Sequence, residues 1–144
     1  TLTLETISKA LGDSALLVVD GVANALATGH VQGLSKALCK AWHEEANCVM
    51  IIRGCQTYFY QLGMLGYAVQ AGQSPQNAVK ELRPPVHFKL QNALIGHLKY
   101  WHPQRCINFV NRLQDIEIDV KSKKIDARIL STQSLLGLCL RARR

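Results

Sequence analysis

Apolar residues recur every three or four positions along nearly the whole chain. No stretch alternates for the length of a strand, so the pattern predicts helices throughout. The strongest row is Cys48, Ile52, Cys55, Phe59, Leu62, Gly66 and Val69, which steps by four and three without a break. A second row, Ile51, Tyr58 and Leu65, lies beside it, so this segment is apolar over most of its circumference and needs other helices around it. Asn47 supplies a cap and Gly72 a stop, giving a central helix over 48–71 that spans roughly 36 Å.

The same punctuation divides the rest. Thr3 caps a short helix through Leu11, ended by Gly12; Asp13 caps a second over 14–27, with Val18, Val22 and Leu26 inward beside Val19 and Gly29 as its stop. A helix over Val31 to Ala46 follows, with Leu34, Leu38 and Trp42 on one stripe. After Gly72, Ser74 and Pro75 open a short helix that Pro84 and Pro85 end near Leu82. Val86 to Tyr100 places Phe88, Leu94, Ile95 and Leu98 inward among Lys89, His97 and Lys99. Trp101-His102-Pro103 opens a helix to about Lys123, with Cys106, Phe109, Val110, Leu113, Ile116 and Val120 on one side. Its outer side carries the acid-first pairs Glu117–Lys121 and Asp119–Lys123, which read as solvated. Asp126 caps the last helix, Ile125 and Leu130 form a staple, and Ile129, Gln133, Leu136 and Leu140 share a face. The expectation is an all-α fold: a single helical bundle of about six or seven helices.

Composition narrows the function classes. At 144 residues and 48% hydrophobic, the chain suits one domain with a substantial core. It begins with Thr1 and carries no leader pattern, so it reads as a piece of a longer protein. Five cysteines, Cys39, Cys48, Cys55, Cys106 and Cys139, are odd in number and scattered at apolar positions, which argues for reduced thiols in the cytoplasm. The most apolar run is interrupted by Arg53, Gln56 and Gln61, against a membrane span. A net charge of +7 favours nucleic acid or an acidic partner.

Candidate chemistry is sparse. His30, His43, His87, His97 and His102 never pair at ligand spacing on a helix, and no Cys-x-x-Cys occurs, so no metal is expected. Cys39 and His43 stand four apart, a thiol and a base on one face; the alternative is a packed cysteine beside a solvated histidine. Adjacent Glu44 and Glu45 point about 100° apart and cannot share a substrate. Gly63 and Gly66 sit within a helix, where they let another helix approach rather than cradle a phosphate. No catalytic residue and no cofactor is expected.

Two surfaces remain. Tyr58, Phe59 and Tyr60 fan over roughly 200° of a helix, so they cannot all enter one core. Tyr60 shares a stripe with Arg53, Gln56, Met64 and Tyr67, a mixture typical of subunit contacts, unless another helix of the bundle covers it. Lys121, Lys123, Lys124 and Arg128 cluster at a helix connection, and Arg141, Arg143 and Arg144 at the end. Either cluster could meet phosphates, although no aromatic residues are interleaved to stack on bases and a solvated face fits both.

Several motifs in order carry a resemblance. They are Gly12-Asp13, Asp20-Gly-Val-Ala-Asn-Ala-Leu26 with Gly29, Gln70-Ala-Gly-Gln-Ser-Pro75, Leu82-Arg-Pro-Pro-Val-His-Phe-Lys89 and Trp101-His-Pro103. Together they resemble the C-terminal part of the delta subunit of the bacterial DNA polymerase III clamp loader. Arg83 to Lys89 is similar to delta subunits of alphaproteobacteria, and Glu117-x-x-x-Lys121 through Ile125-Asp126 also fits. The resemblance implies that residues 13–144 form a helical collar domain and residues 1–12 a lid-domain boundary or leading helix. It implies oligomerisation with the gamma/tau and delta-prime subunits, with primer-template DNA met through the complex. The sliding clamp would be gripped only by a region this sequence does not contain. The competing expectations are a stand-alone basic helical nucleic-acid-binding domain, motivated by the charge, and a cysteine enzyme using Cys39 and His43.

Overall fold

The structure is a computed structural model and describes residues 18–82, 86, 88–122 and 124–142. Among these residues there are seven helices and no strand: α1 (the described part, 18–28), α2 (Val31–His43), α3 (Cys48–Gln70), α4 (Pro75–Lys80), α5 (Phe88–His97), α6 (Pro103–Ser122) and α7 (Ala127–Ala142). The predicted Thr3–Leu11 helix, the Asp13 cap, the Arg83–Pro85 corner, Lys123, Arg143 and Arg144 lie outside the described residues.

Local chemistry sets most boundaries as the sequence implied. Gly29 and Gly72 take positive φ, 76° and 106°, and each is followed by a backward bond from the next amide, His30 to Ala25 and Gln73 to Ala68. Asn47 Oδ1 accepts from the amides of Val49 and Met50, Ser74 Oγ from Asn77, and Asp126 Oδ1 from Arg128 and Ile129. One cap was not foreseen: His30 Nδ1 accepts from Gly33 and starts α2. The helix predicted to reach Ala46 stops at His43 instead. Glu45 adopts φ 57° and Ala46 N–H turns back to Ala41, a glycine-type stop made without glycine, which is why the sequence pattern overran it.

The central helix is as expected. Ile51, Ile52, Cys55, Tyr58, Phe59, Leu62, Leu65 and Gly66 of α3 are all buried. Partners on α6 fall in number as α3 advances: Arg53 meets Glu117, Gly63 faces Cys106 and Gly66 faces Pro103, so the two helices run antiparallel. Gly54 gives α1 the same close approach through Val19. Phe59, Trp101 and Phe109 form an aromatic knot, with ring centroids 4.6–5.3 Å apart, and Trp101 Nε1 donates to the Ala27 carbonyl at 2.9 Å. Trp42 Nε1 donates to Thr132 Oγ1 at 2.8 Å and ties α2 to α7.

Two inward–outward expectations are corrected, and the inner face of α7, which the pattern left open, is settled. His97, placed among the polar residues of its helix, is buried: Tyr58 O–H lies 2.6 Å from Nδ1 and Thr28 Oγ1 3.4 Å from Nε2. Thr28 itself donates to the Asn24 carbonyl, leaving its oxygen to accept from Nε2–H and Nδ1 to accept from Tyr58. On α7, Ile129, Gln133 and Leu140 of the shared face are exposed while Leu136 is partly buried against the core, and Ser131, Leu135, Leu138, Cys139 and Ala142 are the buried row. That helix is apolar on several sides, so periodicity could not choose between them. Cys39 is exposed rather than packed, because Leu34, Leu38 and Ala41 take the inner face of α2.

Candidate interaction surface

Tyr58 and Phe59 enter the core while Tyr60, the third of the fan, is 54% exposed. Among the described residues, one direction on α3 therefore remains open to solvent after the other helices have packed. Met64 and Tyr67 continue the same row, both close to half exposed.

The polar end of that row is engaged within the bundle. Arg53 Nε and Nη2 donate to Glu117 at 3.2 and 3.4 Å, Gln56 Nε2 donates to the same carboxylate at 3.3 Å, and Lys121 Nζ lies 3.0 Å from it. Glu117, read as a solvated residue, instead bridges α6 to α3. Hydrogen bonds from Arg53 and then Lys121 hold its carboxyl below the usual carboxylate range. Of the five interface candidates, Tyr60, Met64 and Tyr67 thus form an open face, while Arg53 and Gln56 reach Glu117, Arg53 with an exposed side chain.

Sequence reasoning missed Met50 on α3 and Ile107 and Ile118 on α6, all exposed. A heptad count from Met50 would have found the first. Met50, Arg53, Thr57, Tyr60, Met64 and Tyr67 occupy successive a and d positions, and all six are exposed.

The basic candidates are dispersed. Lys121 is held by Glu117, whereas Lys124 and Arg128 are exposed beside the α6–α7 corner. Lys121 and Arg128 line an open cleft of about 500 Å3 that also touches Asn47 and Cys48 at the start of α3 and Asp126 at the start of α7. A second cleft, about 360 Å3 between α6 and α7, is bordered by Arg112, Asp115 and Arg141.

Nothing converges as a reaction centre among the described residues. Cys39 and His43 are both exposed and no hydrogen bond joins them. Burial pushes the Cys55 thiol up to about 12, with Asp20 adding to it, and pushes Cys106 to about 12 against the pull of Arg105. Cys139 is raised by burial as well. These three thiols stay protonated and unreactive. Among the described residues, no group of three His, Cys, Asp or Glu is placed to hold a metal, and no helix is long and apolar enough to cross a membrane.

The architecture is a helical bundle with one helix at its centre and an open apolar row along that helix, a fold of the clamp-loader delta type. Among solved structures, the chain is similar to the Bacillus subtilis DNA clamp loader delta protein (YqeN), with a TM-score of 0.72 at 14% identity. The match covers 96% of this chain and 40% of that one, so the chain spans well under half the length of that protein. At this identity the likeness is one of fold. No family profile and no curated protein matches the sequence.

Proposed function

We propose that this chain is the C-terminal oligomerisation domain of a DNA polymerase III delta subunit of alphaproteobacterial type. Residues 13–144 serve as the collar and residues 1–12 as the approach from the lid. In this role it joins the gamma/tau and delta-prime subunits in the cytoplasm, so that the assembled loader places the sliding clamp on primed DNA. It contributes no catalytic group of its own. The observation that carries the reading is the shared fold over 96% of the chain, found independently of the ordered motifs that first suggested delta.

The test is reconstitution. Mixed at micromolar concentration with purified gamma/tau and delta-prime, the chain co-sediments as a stable complex; its failure to associate with either would overturn the reading. Direct binding of nucleic acid has less behind it, because Lys121 is already bound by Glu117 and the exposed candidates Lys124 and Arg128 stand apart from Arg141 at the other end of α7.

A further inference from the structure

We draw no further inference here: the strongest candidate, the open apolar row of Met50, Tyr60, Met64 and Tyr67 along α3, carries no proposal, since nothing in the structure shows what covers it.

Discussion

Gly66 on α3 stands so close to the ring of Pro103 that a Cβ built on it would lie 2.9 Å from the proline Cγ and 3.4 Å from Cδ. Pro103 is the first residue of α6 and its ring is locked to the backbone, so it cannot swing aside as a long side chain would. The glycine is what lets the two antiparallel helices meet there.

Gly66→Ala is therefore a contest between two effects of known sign. Alanine gains about 1 kcal/mol of helix propensity, and overpacking against an immobile ring costs about 1–3 kcal/mol. The clash wins, and a thermal melt should show Tm lowered by a few degrees. Gly137→Ala supplies the opposite case, since nothing lies within 4 Å of the Cβ it would add in α7. That variant should melt higher, by several degrees if the full propensity gain of about 1 kcal/mol is realised. Equal signs for the two substitutions would refute the packing argument.

Ser131 is fully buried in α7 and its hydroxyl has no hydrogen-bond partner. An unsatisfied buried polar group costs about 1–3 kcal/mol, and alanine at the same site removes it with little change in volume. Ser131→Ala should raise the denaturation midpoint in urea without changing the slope of the transition. A lowered midpoint would mean that the hydroxyl holds a bond in solution.

How much of this was legible in the sequence follows from how each helix distributes its apolar residues. Helix α3 was readable because its two rows and its inward glycines can be satisfied only by neighbours on most sides, and Gly63 and Gly66 do face α6. Helix α7 was not, since Ile129, Leu136 and Leu140 make as good a stripe as Leu135, Leu138 and Cys139, and only tertiary packing decides between them. Glu117 misled for a different reason. An acid four residues before a lysine forms the local pair whether or not it also reaches across to another helix, and Arg53 is 64 positions away. The open face of α3 was half visible: Tyr60, Met64 and Tyr67 follow from the fan of aromatics, whereas Met50 emerges only from a heptad count along the whole helix.

Glu45 occupies the left-handed region at φ 57°, where a side chain carries a steric cost of roughly 1–2 kcal/mol. It is exposed, and its backbone supplies the turn that ends α2 while its side chain makes no described hydrogen bond. Glu45→Gly should therefore stabilise the protein by about 1 kcal/mol, raising Tm, the reverse of the usual effect of introducing glycine. Glu44→Gly, next to it at φ −85°, has no such strain to relieve and should be neutral or destabilising. A drop in Tm for Glu45→Gly would show that the turn geometry is not the source of the cost.

The Glu117 cluster predicts a pH dependence with a definite sign. Its folded-state carboxyl is held below the ordinary value by Arg53 and Lys121, so the unfolded chain binds its proton more readily than the folded one. Stability from this group is fully present above the unfolded-state value of about 4.3 and is lost as pH falls from there through the lower folded-state value. Comparing the chain with Glu117→Gln by chemical denaturation at several pH values isolates the effect. The unaltered chain should be the more stable near pH 7, with the gap closing below about pH 5 as the carboxylate takes up its proton. Raised salt should narrow the neutral-pH gap as well, because the Arg53 and Lys121 side chains are largely exposed. A difference independent of both pH and salt would mean that Glu117 joins α3 to α6 by shape and neutral hydrogen bonding, not by its charge.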